Sequence, residues 1–138
     1  MQSDHILVCE QNADHAELLA YNLNKAGYLP TVIAPDNVVK HAVKFPPQMI
    51  ILGSSLEDRE NAKLSKKIKK KPELADTLIV CLTTNDSCDL TSKSSGAHID
   101  VCLILPLKPK KIIKTINNLL GNSKSASTQK QKKKTEKS

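Results

Sequence analysis

Short apolar runs and segments of helical periodicity alternate along the first 120 residues. Five apolar runs predict strands, because a strand that is buried on both faces reads as a continuous apolar segment. These runs cover residues 6–9, 30–33, 49–52, 78–82 and 101–105. Between them, the polar and apolar spacing predicts helices over residues 13–26, 37–45, 59–71 and 109–120, and only a weak helix over 86–97.

Residues at the ends of these segments fit helix starts and stops. Asn12 and Asp36 are predicted N-caps, because their short side chains accept hydrogen bonds from the first free N–H groups of a helix. Gly27 and the pair at 46–47, both prolines, are predicted stops. Pro109 suits the first turn of the last helix, where its missing N–H is not needed.

The order of elements predicts the fold. Strands that alternate with helices indicate a parallel sheet covered on both faces, and right-handed crossovers restrict its topology. Five strands in about 120 residues favour an α/β, flavodoxin-like (βα)5 doubly wound sheet with strand order 2-1-3-4-5. We predict one domain over residues 1–121.

Charge is distributed unevenly along the 138 residues. The formal net charge is +7, and residues 121–138 hold six lysines and one glutamate. Residues 122–138 contain a single apolar residue, Ala126, so we predict a disordered basic tail. The N-terminus does not resemble a secretory signal, and no apolar stretch is long enough to predict a transmembrane helix.

Cysteine and aromatic usage excludes several classes of function. The cysteines at positions 9, 81, 88 and 102 have no C-x-x-C spacing, which argues against a zinc or thioredoxin-type site. Three of them lie in apolar runs and are predicted to be buried reduced thiols. One Phe, two Tyr and no Trp are too few for a module that stacks on nucleic-acid bases.

Residues 6–120 resemble the receiver domain of bacterial two-component response regulators. The landmarks follow in the expected order: the run at 6–11 that ends in Glu-Gln, the segment 18–28 that ends in Gly-Tyr, the runs at 47–53 and 78–84, Gly-Ala at 96–97 and Leu-Pro-Leu at 105–107. The resemblance implies the flavodoxin-like fold, a signalling role and a cytoplasmic setting.

The resemblance also implies which residues form the active site, and here the chain departs from the family. The phospho-acceptor aspartate falls on Gly53, and the lysine that neutralises the phosphoryl oxygens falls on Leu105. The acidic pair that holds Mg²⁺ reads Glu10 and Gln11, so one negative charge is missing. Only the switch hydroxyl, Thr83, remains. We therefore expect a pseudo-receiver with no catalytic residues, no cofactor and no Mg²⁺ binding.

Other uses of this region stay open at the level of sequence. Ser54 or Ser55 could accept a phosphoryl group only with a base and a metal that the sequence does not reveal. Lys108 could reach inward in place of Leu105, and Glu10 with a carbonyl oxygen could hold a weak divalent site. A small ligand could also enter the crevice at the strand ends, where Gly53 would leave space.

Three basic runs carry candidate polyanion contacts. These residues are Lys66, Lys67, Lys69, Lys70, Lys71, Lys110, Lys111, Lys114, Lys132, Lys133 and Lys134. They could contact nucleic acid without sequence preference or simply form solvated surfaces. Stable membrane anchoring is not expected, because the tail lacks apolar residues.

Two hypotheses of function follow from the sequence. The first is a phosphorylation-independent signalling adaptor that binds a protein partner with an acidic surface. Its contact face would be the one that the family builds from the fourth helix, fifth strand and fifth helix, here residues 86–120. The alternative is a polyanion-associated protein that acts through its lysine-rich helices and tail. An enzyme is not expected, because no nucleophile with an adjacent base is evident.

Overall fold

A computed structural model describes residues 4–54, 57–84 and 98–121. These residues fall into two compact units, within Met1–Leu107 and Lys108–Ser138 respectively. The predicted single domain over 1–121 includes residues of both units, and its boundary stays a prediction. The weak helix predicted over 86–97 and the predicted tail over 122–138 lie outside the described residues.

The first unit is built on a parallel sheet of five strands. The strands are β1 (His5–Cys9), β2 (Leu29–Val32), β3 (Met49–Leu52), β4 (Leu78–Thr83) and β5 (Val101–Ile104). Their order is β2-β1-β3-β4-β5, and every neighbouring pair is parallel. The flavodoxin-like fold and the strand order predicted from the sequence are confirmed.

The helices of the first unit begin and end within a few residues of the predicted positions. They are α1 (Ala13–Lys25), α2 (Pro35–Lys44) and α3 (Asp58–Lys69), and a 3-10 turn, Pro72–Leu74, follows α3. Asn12 caps α1 as predicted, because its Oδ1 accepts a hydrogen bond from the His15 N–H at 3.0 Å.

The predicted cap of α2 is wrong by two residues. Ala34 is the N-cap and makes no side-chain hydrogen bond, while Pro35 starts the helix. Proline at this position fixes a helical φ in advance, so the helix begins before Asp36. Asp36 lies instead in the first turn, where its negative charge still favours the helix dipole.

Helices cover both faces of the sheet. Side chains of α2 and α3 pack with alternate residues of β1, β3 and β4 in one apolar cluster that includes Leu7, Leu52 and Cys81. The intervening residues, such as Val8 and Ile51, are equally buried and point to the opposite face. The helix α1, which buries Ala16, Leu19 and Leu23, contacts β1 and β2.

The strand β2 forms one open edge of the sheet. Its N–H groups alternate, so that Leu29 and Ile33 donate to carbonyls of Asp4 and Val8 on the β1 side, both at 2.9 Å. Pro30 lies between them and has no N–H. Leu29 and Val32 are exposed apolar residues on this edge.

The second unit contains α4 (Pro109–Leu119), which begins with proline as predicted. Ile112 and Ile116, four residues apart, are buried, and the lysines of this helix are exposed. No helix within residues 4–54, 57–84 and 98–121 is long and apolar enough to cross a membrane.

Candidate functional site

Four of the five positions implied by the resemblance meet at the carboxyl ends of adjacent strands. Glu10 follows β1, Gly53 follows β3, Thr83 ends β4 and Leu105 follows β5. Backbone hydrogen bonds fix their register: the Gly53 N–H donates to the Cys9 carbonyl at 2.9 Å, and the Leu105 N–H donates to the Thr83 carbonyl at 2.6 Å. The fifth position, Gln11, is exposed.

The side chain of Glu10 fills the space in which a side chain at position 53 would begin. A Cβ atom on residue 53 would collide with Glu10 Oε1 and would lie 2.7 Å from its Cδ and 2.9 Å from its Cβ. Non-bonded carbon atoms do not approach this closely without displacement. Gly53 is therefore required here by the close approach of Glu10.

Glu10 is fixed in this position by burial and by the start of α1. The residue is only 6% exposed, and its Oε2 accepts a hydrogen bond from the Asn12 N–H at 2.8 Å. A hydrogen bond to a carboxylate is stronger than one between neutral groups, and a negative charge next to a helix N-terminus is favourable. The carboxyl group thus occupies the site as a fixed structural element.

The other side of Gly53 is held by α3. Asn61 is fully buried, and its Nδ2 donates to the Gly53 carbonyl at 3.1 Å and lies 3.5 Å from Cys81 Sγ. Its Oδ1 has no hydrogen-bond partner among the described residues. Asn61 was not among the residues predicted for the site. Its burial could have been predicted, because Asn61, Ser65 and Ile68 follow the i, i+4, i+7 spacing of a buried helix face.

The remaining positions carry no cation. Thr83 is 4% exposed and Leu105 is half-buried, with a cis peptide bond between Leu105 and Pro106. Lys108 is exposed and belongs to the second unit, so the inward reach that the sequence left open is not tested. Ser54 is half-buried, whereas Ser55 lies outside the described residues.

The residues present do not fit a Mg²⁺ ion. Magnesium requires near-octahedral oxygen coordination, with carboxylates among its ligands. Glu10 supplies one carboxylate, whose Oε2 is already bonded to Asn12, and Gly53 supplies no side-chain oxygen. No group of three metal-ligating side chains occurs in the part of the chain that the structure describes.

The thiol next to the site is not a nucleophile at neutral pH. Burial, followed by the negative charge of Glu10, raises the pKa of Cys9 to about 12. Because the thiolate is the reactive form, Cys9 acts as a core residue. Cys9 and Cys81 are buried, Cys102 is half-buried, and Cys88 lies outside the described residues.

The crevice that the sequence analysis left open for a small ligand is different in the structure. The space next to Gly53 is not vacant, because Glu10 fills it. A shallow groove of about 820 Å³ lies between α1 and β2, and Glu10, Tyr21 and Pro30 are among its lining residues.

The structure separates the predicted polyanion contacts into two kinds. Lys66, Lys67, Lys70 and Lys71 are exposed, as are Lys110, Lys111 and Lys114. Lys69 differs, because its Nζ donates to the carbonyls of Thr77 and Ala75 and lies 3.8 Å from the Asp100 carboxylate. Lys69 was predicted as a possible polyanion contact, and this prediction is corrected, because its ammonium group binds carbonyls of the protein itself. Lys132, Lys133 and Lys134 lie outside the described residues.

No protein-family model matches the chain, and no curated protein matches it. Solved structures do. The receiver domain of a sensor histidine kinase from Pseudomonas aeruginosa PAO1 superposes with a TM-score of 0.75 at 19% identity, over 87% of this chain and 99% of that one. In that structure, a magnesium ion is coordinated in the active site cleft.

Two further structures give the same result. The chemotaxis response regulator CheY4 of Vibrio cholerae has a TM-score of 0.75 at 19% identity, over 86% of this chain and 99% of that one. The receiver domain of a signal transduction histidine kinase from Syntrophus aciditrophicus has a TM-score of 0.73 at 20% identity, over 94% and 98% of the two chains. This chain therefore has the fold of response-regulator receiver domains.

Proposed function

We propose that this chain is a pseudo-receiver, a signalling adaptor of the response-regulator type that works without phosphorylation. One observation carries the proposal: the Glu10 carboxyl group lies where the side chain of a phospho-acceptor at position 53 would begin. The receiver fold of the solved structures supports the signalling context.

The chemistry of aspartyl phosphorylation supports phosphorylation independence. Phosphoryl transfer depends on a positioned nucleophile, a metal and a cation that stabilise the transferred group. Gly53 offers no nucleophile, Leu105 offers no charge, and among the five positions that the resemblance implies only Glu10 carries a carboxylate. We therefore propose that the site is neither an enzyme active site nor a phosphorylation switch and needs no Mg²⁺.

We assign partner binding to the face within residues 86–120. Among its described residues, β5 is an edge strand, and its Ile104 is 44% exposed. Separately, α4 exposes Lys110, Lys111 and Lys114 and has no acidic residue in its first turn. These charges favour a protein partner with an acidic surface.

Phosphorylation independence is tested by incubating the full chain with radiolabelled acetyl phosphate and Mg²⁺. We expect no acid-stable or acid-labile label on the protein. The matched control is the triple variant Glu10→Asp, Gly53→Asp, Leu105→Lys, which restores the family's residues and in which the shorter side chain at position 10 makes room at position 53. Label on an acidic side chain of the unaltered chain would overturn the proposal.

The partner face is tested by cross-linking in the native lysate with and without acetyl phosphate. We expect the same protein partner in both cases, and its loss from the variants Ile104→Glu and Lys110→Glu/Lys111→Glu/Lys114→Glu. The variant Leu18→Glu, which alters an exposed apolar residue on α1, serves as the control and should keep the partner. A partner that requires acetyl phosphate, or that is lost only from the Leu18 variant, would contradict the assignment.

A further inference from the structure

The outer surface of α3 and the turn after it concentrates positive charge. Five lysines there are exposed, and we call them the lysine face: Lys63, Lys66, Lys67, Lys70 and Lys71. The salt bridges found among the described residues are Arg59–Glu57 and Lys69–Asp100, and neither includes a member of the lysine face. Lys69 marks the boundary of this surface, because its ammonium group is turned toward Thr77 and Asp100.

The lysine face is unfavourable for the helix that carries it. Lys63 and Lys67 are four residues apart, as are Lys66 and Lys70, and like charges at this spacing repel each other on a helix. The helix dipole compensates only in the last turn. On its inner side, α3 fully buries Asn61, Ser65 and Ile68, and its Ala62 and Leu64 pack half-buried against the same core. The repelling charges contribute nothing to this packing, which indicates a role for them outside the fold.

The composition of the surface indicates the class of partner. The exposed large apolar residues lie on or next to α1, β2, α2 and β5, and none of those described lies on α3. Protein interfaces depend on apolar and aromatic anchors and are depleted in lysine, and membrane-binding helices insert apolar side chains. Contacts to a nucleic-acid backbone, by contrast, require only cations.

We propose that the lysine face binds the phosphate backbone of double-stranded nucleic acid without reading its sequence. From Lys63 to Lys70, the helix advances about 10 Å, and a duplex presents about six phosphate charges over that length of its axis. Lysine suits this role, because its flexible side chain carries a point charge that adapts to phosphate positions. This binding is independent of the proposed adaptor role, which uses other residues.

The test is a fluorescence anisotropy titration of a short labelled DNA duplex of mixed sequence with the full chain, repeated over a range of salt concentrations. The test variant is Lys63→Gln/Lys66→Gln/Lys67→Gln. The matched control, Lys110→Gln/Lys111→Gln/Lys114→Gln, removes the same three charges from a formal net charge of +7. We expect the α3 variant to bind more weakly than both the unaltered chain and the control. Relative to the unaltered chain, its slope of log K against log salt should be flatter by about 2.7, which is about 0.9 for each of three lost phosphate contacts.

Several results would overturn the proposal. Equal losses from the two variants would show attraction by net charge alone, and the absence of binding at low salt would exclude the interaction. Tighter binding to polyglutamate or to vesicles with anionic headgroups, with the same dependence on the lysine face, would assign the surface to a protein or a membrane. Lys63→Arg/Lys66→Arg/Lys67→Arg must retain binding, and circular dichroism must show that every variant is folded.

Discussion

Glu10 and Gly53 form a pair in which each residue determines what the other can be. The buried carboxyl group of Glu10 is in direct contact with the Cα side of Gly53 and is bonded to the Asn12 N–H. A side chain at position 53, such as that of an aspartate, therefore requires a smaller residue at position 10. We expect that Gly53→Asp alone does not create an acceptor site and that it needs a smaller residue at position 10 as well.

The first prediction concerns this pair. Gly53→Ala should destabilise the protein by about 1–3 kcal/mol, because its Cβ overpacks a filled site. In a Glu10→Ala background, the same substitution should cost much less. Urea unfolding of the two single variants and the double variant gives the coupling energy. Equal costs of Gly53→Ala in both backgrounds would contradict the contact.

The second prediction concerns pH and the histidine at the start of β1. Burial, followed by the nearby positive charge of His41, lowers the pKa of His5 below its usual 6.5. The unfolded chain then binds a proton more readily than the folded chain does, so stability should fall as the pH drops through about 6.5 toward the folded-state pKa. Urea unfolding at pH 7.5 and pH 5 measures this effect.

A matched pair of variants isolates the contribution of His5. His5→Gln should reduce the pH dependence, whereas His15→Gln, at an exposed position of α1, should leave it unchanged. The ring of His5 also lies 3.0 Å from Thr31 Oγ1, so the comparison concerns the slope with pH rather than the absolute stability. The interpretation fails if the His5 variant keeps the full pH dependence.

At the scale of the element, α3 combines a polar inner side with a charged outer surface. Its position depends on hydrogen bonds as well as on apolar contact: Asn61 bonds to Gly53, Ser65 Oγ accepts from the His98 N–H at 3.0 Å, and Lys69 bonds to Thr77. These bonds connect α3 to the carboxyl end of β3, to the amino end of β4 and to the segment before β5. The bond from Asn61 is the one that holds the backbone of the candidate site, at Gly53.

The third prediction compares two adjacent lysines of this region. Lys69→Met should destabilise the protein by about 1–2 kcal/mol, because the carbonyl of Thr77 loses a charged hydrogen-bond donor. Lys70→Met, at an exposed position, should change the stability by less than about 0.5 kcal/mol. Thermal or urea unfolding of the two variants measures the change in stability. Equal changes in the two variants would show that the contacts of Lys69 do not stabilise the protein.

At the scale of the whole molecule, the chain has the fold of receiver domains. Among the five positions that the resemblance implies, Glu10 carries a carboxylate, and no three metal-ligating side chains lie together in the described part of the chain. A ligand raises the melting temperature only if it binds the folded state more tightly than the unfolded one.

The fourth prediction follows from this linkage. Millimolar Mg²⁺ should leave the melting temperature of the unaltered chain unchanged and should raise that of the Glu10→Asp/Gly53→Asp/Leu105→Lys variant. Differential scanning fluorimetry with Ca²⁺ and K⁺ as ionic controls measures both proteins. A specific rise with Mg²⁺ in the unaltered chain would show that Glu10 leaves its contact with Gly53 to bind the ion.

The fold was predictable from the sequence, and the arrangement of the site was predictable only in part. Continuous apolar runs indicate strands that are buried on both faces, so the five strands could be predicted. Their order was predicted from the alternation of strands with helices and from right-handed crossovers. That Gly53 stands at the position of the acceptor in the resembled family was predicted from the sequence and stays a prediction. The position of the Glu10 carboxyl group could not be predicted, because its rotamer depends on the missing Cβ of residue 53, which follows the neighbouring strand β3.

At two other positions, Lys69 and Asp36, the structure also differs from the prediction, and the physical reasons are different. Sequence spacing placed Lys69 in a basic run, but its environment is determined by Thr77 and Asp100, which approach it only after the chain has folded. Asp36 had the chemistry of a cap, yet the fixed φ of Pro35 started the helix earlier. The environment of Lys69 is therefore decided by tertiary contacts, whereas the start of α2 is decided by the neighbouring residue Pro35.

The open edge at β2 has a consequence for the protein at high concentration. Leu29 and Ile33 direct their N–H groups toward β1, so the outward donors of this strand would come from positions 30 and 32. Position 30 is a proline, which leaves a single outward N–H at Val32. An incoming strand from another copy would find one donor where a ladder needs several, and Pro30 thus opposes edge-to-edge fibril growth from an exposed apolar strand.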